Sequence, residues 1–266
     1  MKFIAEIGWN FLGDLNLAKK MVEAASKANA SFAKFQVWDP KFLREGPWDT
    51  DGRREIYKKS FLNLDKLEEL KEICSFNKIM FLASVFEKRS LDLLKKVDNT
   101  NVKIPSHECN NWELIDDARE SFENVFLSIG SVSANDFNQI LTRYGNKNNV
   151  TLMHCVSSYP LKEEHVNLPK LVRIKNRSEV LGYSSHFMGI EDAIAATALG
   201  ASLIEKHFTI NRELQGRDNK FALLPDEFKK MVSDCTTVNK MLLDKGDGIQ
   251  NIEEEVALVM RGRWNG

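Results

Sequence analysis

The chain has no apolar run approaching the roughly 18 residues that would let a helix cross a membrane. Nor does one sign of charge dominate. Against 37 lysines and arginines stand 38 aspartates and glutamates, and no dense basic stretch occurs, so the electrostatic footprint of a nucleic-acid binder is missing. Cysteine is scarce: Cys74, Cys109, Cys155 and Cys235 are scattered without a CxxC pair. That excludes a zinc knuckle and a disulfide framework, and leaves four small buried hydrophobes. The opening Met1–Glu6 reads as a strand and not as the apolar part of a signal peptide, which makes the cytoplasm the expected location. No linker-like or low-complexity stretch divides the chain, so one domain is expected.

What remains is an ordinary globular composition, 43% hydrophobic and 28% charged, in 266 residues, enough to bury a large core without staples. Short apolar runs of strand type fall at Phe3–Gly8, Phe32–Trp38, Ile79–Phe86, Val102–Ser106, Val125–Gly130, Val150–Tyr159, Val180–His186 and Leu203–Thr209. Segments of helical period separate them: Leu15–Ala28, Leu64–Asn77, Lys88–Val97, Trp112–Ser121, Ala134–Tyr144, Leu168–Ile174, Ile190–Leu199 and Asp226–Leu243. Strict alternation implies parallel strands joined by right-handed crossovers. Eight repeats favour an α/β fold closed as a single-domain (β/α)8 TIM barrel over an open sheet, with the barrel in residues 1–246 and a tail in 247–266. The longest irregular stretch, Asp39–Ser60, follows a strand's carboxyl end, where loops commonly act as lids or touch substrate.

Active sites of this architecture lie at the carboxyl ends of the strands. There the sequence places polar groups in otherwise apolar runs. Glu6 and Asn10 flank the end of the first strand; Lys34 and Gln36, two apart, share a face of the second. Lys103, Ser106 and Glu108 close the fourth, Ser128 the fifth, and His154, Ser157 and Tyr159 the sixth. Ser184 and His186 end the seventh, Glu205 and His207 the eighth. One such residue alone reads as a core histidine or a snorkelling lysine. Seven strands together read as a site. An inward lysine needs a counter-charge, and two of them, Lys34 and Lys103, suit an anionic ligand to which Ser106, Ser128 and Ser184 add hydrogen bonds. His186 and His207, at matching depth on adjacent strands, suit either a shared divalent metal or a structural pair. Lys206 falls on the opposite face, toward the helices, with no evident partner, and the loop residues His107 and His165 are expected to be solvent-exposed.

These residues also form a series. Ile4-Ala5-Glu6-Ile7-Gly8-x-Asn10, Lys34-Phe35-Gln36, Lys103-Ile104-Pro105-Ser106, Ser128-Ile129-Gly130, His154-Cys155-x-x-x-Tyr159-Pro160, Gly182-Tyr183-Ser184-x-His186 and Ile204-Glu205-Lys206-His207-Phe208-Thr209 resemble, in order, the motifs of the N-acetylneuraminate (sialic acid) synthase family. The resemblance spans about residues 3 to 256. It implies a cytoplasmic transferase that condenses phosphoenolpyruvate with the open-chain aldehyde of an amino sugar to give a nine-carbon 2-keto-3-deoxy acid. Lys34, Lys103, Ser106, Ser128 and Ser184 would hold phosphoenolpyruvate, with Ser157 assisting. His186 and His207 would bind Mn2+, with Mg2+ or Co2+ as substitutes. Glu205 and Asp218 would position the acceptor, Glu6 and Glu108 would handle water or developing charge, and Asn10, Gln36 and Tyr159 complete the substrate-binding set.

The chain departs from the family pattern in places. Asn10-Phe11 replaces Asn-His, Ser184-Ser185-His186 replaces Ser-Asp-His, Gly216-Arg217-Asp218-Asn219 replaces Gly-Pro-Asp-His, and Ala222 replaces a serine. These changes are expected beside the acceptor and imply a different or less restricted sugar. Family members continue into a small antifreeze-like domain, which is expected to be absent here, so that any homo-oligomer would form through the barrel. A synthase acting on a simpler aldose, or an inactive sugar-binding homologue, are the alternatives. Against the second stand Lys34, Lys103, His186, Glu205 and His207, all in place.

Overall fold

The computed structural model describes residues 1–178 and 180–264. Strands β1 (Lys2–Gly8), β2 (Phe32–Val37), β3 (Met80–Val85), β4 (Asn101–Ile104), β5 (Asn124–Ile129), β6 (Val150–His154), β7 (Leu181–Ser185) and β8 (Leu203–His207) form one closed barrel. Each pairs in parallel with its sequence neighbours, and β1 closes on β8 with Glu6 opposite His207. Around it run α1 (Leu15–Lys27), α2 (Arg53–Lys59), α3 (Leu64–Phe76), α4 (Lys88–Val97), α5 (Trp112–Ser121), α6 (Ala134–Tyr144), α7 (Leu168–Lys175), α8 (Glu191–Ala198) and α9 (Pro225–Met241). The (β/α)8 expectation holds. Among the described residues no helix is long and apolar enough to cross a membrane.

Period-two alternation builds two cores. Outward strand residues meet the helices, as where α1 buries Ala18, Met21, Val22 and Ala25 at helical spacing. Inward residues stack in layers. At the amino-terminal end Ile4, Phe32, Leu82, Phe126, Met153 and Leu203 make an apolar plug. Gly182 belongs to this layer of necessity, because a β-carbon there would stand 2.5 Å from Met153 Cγ. Two residues further along each strand the inward positions become Glu6, Lys34, Ser84, Ser128, Cys155, Ser184 and Glu205, and the barrel interior turns polar.

Lys206 has its partner. Its ammonium lies 3.1 Å from Asp192 Oδ1 on α8 and donates to Phe187 O at 2.7 Å, while Tyr183 Oη donates to Asp192 Oδ2 at 2.9 Å. His154 is likewise outside the barrel interior, with Nε2 at 2.9 Å from Val166 O. The sixth strand is shorter than its apolar run suggests. Beyond His154 the carbonyl of Val156 serves a local turn to Ser158 N and the ring of His186, so no ladder continues. The stretch 39–60 is not irregular throughout. Pro40 and Pro47 each open a short 3-10 turn, Asp39 and Asp49 accept from the backbone of Lys41 and Gly46, and α2 follows. The expected tail likewise carries a helix, α10 (Glu254–Met260), with Leu258 exposed; Asn265 and Gly266 lie outside the described residues.

Candidate active site

At the carboxyl ends of the strands the polar layer opens into a cavity of about 500 Å3. Its floor is a compensated charge cluster. Lys34 Nζ stands 2.7 Å from Glu6 Oε2 and 3.6 Å from Glu205 Oε1, and donates to Ser84 Oγ at 2.7 Å. Lys103 Nζ donates to Glu205 Oε2 at 2.6 Å, Ser184 Oγ to Glu205 Oε1 at 3.1 Å, and Gln36 Nε2 to Glu6 Oε1 at 2.5 Å. Two cations and two anions, all buried, cancel; neither sign would be tolerable there alone. The carboxylates differ. Burial would raise Glu205, but Lys103 and Lys34 together hold it well below the usual range. Glu6 is raised, because burial outweighs its one close lysine and the charge of Glu205 adds to the effect. Burial also lowers Lys103, against the pull of Glu205, whereas Glu205 and Glu6 more than offset burial at Lys34 and raise it.

Beside the cluster lies a cradle of hydroxyls from the ends of β4, β5 and β6. A β-carbon on Gly130 would come within 2.7 Å of Ser106 Oγ and 2.8 Å of Ser157 Oγ, so glycine is what leaves this space open. Among the described residues the buried hydroxyls of Ser128 and Ser157 have no hydrogen-bond partner. An unspent buried donor costs free energy until a ligand takes it.

At the exits of β7 and β8, the rings of His186 and His207 are 5.3 Å apart, with Tyr159 packed 3.9 Å from His186. His186 Nδ1 faces Val156 O at 3.0 Å, an arrangement that puts the proton on Nδ1 and leaves Nε2 a free lone pair. Burial pushes His186 down to about 4 and holds His207 well below its ordinary value, so both are neutral, as a metal ligand must be. His207 Nδ1 is buried without a hydrogen-bond partner among the described residues. These features fit a divalent cation. Among the described residues no cluster of three or more His, Cys, Asp or Glu suited to a metal forms, so water and substrate would supply the other positions. Asp218 Oδ2 stands 3.8 Å from His207 Nδ1, and Asp218 accepts from Trp9 Nε1. Burial raises Asp218.

Of the residues expected from sequence, Glu6, Lys34, Gln36, Lys103, Ser106, Glu108, Ser128, Tyr159, Ser184, His186, Glu205, His207 and Asp218 all line this cavity. Two stand apart. Asn10 is buried outside the lining, its amide donating to Phe208 O at 2.9 Å, and so ties the exits of β1 and β8 together. Ser157 lies behind Gly130 and does not itself line the cavity. Glu108 sits on the 3-10 turn after β4, half-buried and accepting from Asn111 Nδ2 at 2.9 Å, away from the ion pairs. His107 and His165 are exposed, as expected, although His107 reaches the lining.

Sequence reasoning passed over Ser84, whose signal is its place two residues after the plug residue Leu82, opposite Lys103. It also passed over an aromatic wall. Trp9 stacks on Tyr57 at 5.1 Å and meets Trp38 edge-on at 6.2 Å, and all three line the cavity. Tryptophans just past the ends of β1 and β2 were the available sign. Most of the side chains at the sequence departures face away from the cavity. Phe11 packs against Phe35 in the outer core, Ser185 accepts from Phe187 N at 3.1 Å, Asn219 accepts from Thr209 Oγ1 at 2.5 Å, and Ala222 is fully buried. Of the changed residues, Arg217 alone is in the lining.

A family model described as the NeuB family matches residues 21–247. The chain belongs to the NeuB family. This NeuB-family barrel is 34% identical over 263 residues to an N,N'-diacetyllegionaminic acid synthase of Campylobacter jejuni, covering 93% of this chain and 78% of that one. It is also 34% identical to a pseudaminic acid synthase of Helicobacter pylori, over 87% of this chain and 72% of that one. Among solved structures, an N-acetylneuraminic acid (sialic acid) synthetase of Leptospira borgpetersenii in complex with citrate superposes with a TM-score of 0.88 at 33% identity, covering 97% of this chain and 92% of that one.

Proposed function

We propose that this chain is a carbon–carbon bond-forming transferase that condenses phosphoenolpyruvate with the open-chain aldehyde of an amino sugar, giving a sialic-acid-like nonulosonic acid and phosphate. The observation that carries the reading is the floor of the cavity, where two buried lysines balanced by two carboxylates adjoin a cradle of unspent serine hydroxyls. Relatives named as synthases of legionaminic, pseudaminic and sialic acids give the product class.

Phosphoenolpyruvate brings a carboxylate and a phosphate. Lys34 and Lys103 meet the two anionic groups as charged donors, and Ser106, Ser128 and Ser184 supply neutral hydrogen bonds from the cavity lining, with Ser157 behind Gly130 as their support. Because each lysine is already compensated, the site is assembled before the donor arrives and needs little reorganisation, which is where electrostatic catalysis gains most. His186 and His207 would hold a divalent cation, Mn2+ foremost, which when bound supplies Lewis acidity to the acceptor's carbonyl oxygen. Asp218, held by Trp9, orients the hydroxyls of the acceptor near those imidazoles. As C3 of the donor attacks the aldehyde, positive charge grows at C2, and Glu205, the carboxylate kept ionised by both lysines, stabilises it. Water then adds at C2. Glu6, the carboxylate with raised proton affinity, takes the proton from that water at its carboxyl oxygen, and the tetrahedral centre expels phosphate by C–O cleavage. Holding donor and acceptor in one cavity supplies several kcal/mol of the barrier through orientation, on the order of the effect known for intramolecular reactions.

Phosphoenolpyruvate labelled with 18O at the bridging position tests the reading directly. With Mn2+ and a panel of amino sugars, phosphate carrying the label should appear only when an acceptor is present. Label retained in the keto acid, or phosphate release independent of any sugar, overturns it.

A further inference from the structure

We propose that Lys170 is a third cation of the donor site, a positioning residue whose ammonium acts on phosphoenolpyruvate through the backbone of Ile129 and Gly130. This rests on the synthase reading above and concerns its donor. Lys170 lies in the first turn of α7, half-buried behind the end of β5, and is not part of the cavity lining.

Among the described residues no carboxylate lies within ion-pair distance of Lys170. Its ammonium donates to Ile129 O at 3.1 Å and stands 5.0 Å from the centre of the Phe137 ring on α6. The ring holds the ammonium in place without neutralising it. The next carbonyl along the chain, Gly130 O, accepts from Cys109 Sγ at 3.5 Å. Two consecutive carbonyls are therefore tied to donors outside the cavity lining. They flank the residue whose missing β-carbon leaves room between Ser106 and Ser157, so what fixes them also fixes the opening of the hydroxyl cradle.

The charge reaches the site as well. Lys170 acts on Cys109, and Cys155, which lines the cavity, acts on Lys170 in turn. Arg173, on the same helix, adds a like charge. Asp136 of α6 acts on Cys109, but it accepts from Ser133 Oγ at 2.9 Å and makes no ion pair with Lys170. Glu163 and Glu164, on the turn before α7, are exposed, and neither pairs with it. Lys34 and Lys103, by contrast, are each matched by a glutamate. A donor with both a phosphate and a carboxylate brings more negative charge than that balanced floor takes up, and Lys170 supplies positive field from behind. Its bond to Ile129 O also offsets the negative end of the peptide leading into Gly130, and hydrogen bonds in series polarise one another. A residue that served only to dock α7 on β5 would need no charge, since a neutral donor satisfies the same carbonyl.

The test is calorimetric titration of phosphoenolpyruvate into the whole chain with Mn2+, at low and at high salt, in wild type and in Lys170→Met, Lys170→Gln and Lys170→Arg. Lys170→Met keeps an apolar stem over Phe137. It should bind phosphoenolpyruvate about tenfold more weakly at low salt, with a melting temperature within about 4 °C of wild type. Lys170→Gln keeps a donor without the charge and should be as weak as Lys170→Met, whereas Lys170→Arg should restore most of the affinity. The gap between wild type and Lys170→Met should narrow as salt rises, because a half-exposed charge is screened. Affinity unchanged in Lys170→Met, affinity restored by glutamine, or a gap indifferent to salt makes Lys170 a docking group for α7, and overturns the proposal while leaving the synthase reading intact. A wild-type protein that binds no phosphoenolpyruvate overturns both.

Discussion

Glu205, Lys206 and His207 are consecutive on β8, yet they belong to two different chemistries. Lys206 points outward and is fully satisfied by Asp192 and the Phe187 carbonyl, with Tyr183 fixing the carboxylate. Glu205 and His207 point inward, among Lys34, Lys103 and serines whose hydroxyls are in part unspent. Both clusters bury lysines almost completely. The outer one closes on itself, packed between strand and helix. The inner one is neutral overall but opens into space and keeps donors free. What separates a structural buried charge from a functional one here is therefore the unspent capacity around it, and burial or pKa alone would not tell them apart.

The largest effects should come from breaking each cluster in turn. Lys103→Met leaves Glu205 with only the more distant Lys34, and phosphoenolpyruvate affinity should fall at least a hundredfold by calorimetry. Lys206→Met strands Asp192 between helix and strand, and should cost about 3–5 kcal/mol in denaturant unfolding, the usual penalty for an orphaned buried partner. The folded protein should then bind phosphoenolpyruvate as before. Replacing both members, Lys206→Met with Asp192→Leu, should recover much of the loss, since a purely structural pair can be exchanged for apolar packing. Donor binding lost in Lys206→Met, or kept in Lys103→Met, would dissolve the distinction.

The imidazole pair sharpens it next. If His207 is an inner, functional group, Mn2+ should raise the melting temperature of the wild-type protein, and His207→Ala should abolish that rise. An unchanged Mn2+ response would make the two histidines a structural pair. Gly130→Ala should follow with a smaller effect: its methyl enters the serine cradle, and donor affinity should drop about tenfold, roughly 1.4 kcal/mol, with little change in melting temperature.

Much of this was legible beforehand. Eight strand-like runs separated by helical periods specify the barrel, and a lysine two residues beyond a phenylalanine in Phe32-Ala33-Lys34 already marks where the plug ends and the polar layer begins. Period two also put Lys206 on the outer face, but its partner Asp192 sits on a helix whose rotation against the strand no local pattern encodes. Asn10 misled for a related reason: past the left-handed turn at Gly8 the alternation of β1 no longer applies, and the side chain turns to Phe208 O and not to the cavity. The serines of the hydroxyl cradle could be named from sequence, but not how close three strand ends bring them around Gly130.

The smallest expected effect concerns the two inner carboxylates, and its sign separates them. Glu6 binds its proton more tightly in the folded protein than in the unfolded chain. Its contribution to stability is therefore fully present below the ordinary glutamate value and is lost as pH rises through the raised one, toward neutrality. Glu205 is opposite. Its proton affinity is lowered by Lys103 and Lys34, so its contribution is present above the ordinary glutamate value and is lost only as pH falls well into the acid range. Between pH 5 and 7.5, then, Glu6 alone of the pair should change its protonation. The difference in denaturant stability between wild type and Glu6→Gln should fall as pH rises across that window, whereas the difference between wild type and Glu205→Gln should stay constant. His186 and His207, whose lowered values make stability rise with pH there, are common to all three proteins and cancel in the comparison. A difference for Glu6→Gln that does not change from pH 5 to 7.5 would mean that Lys34 compensates Glu6 fully, and the proton acceptor in the hydration step would have to be another group at the cavity mouth, with Glu108 the next candidate.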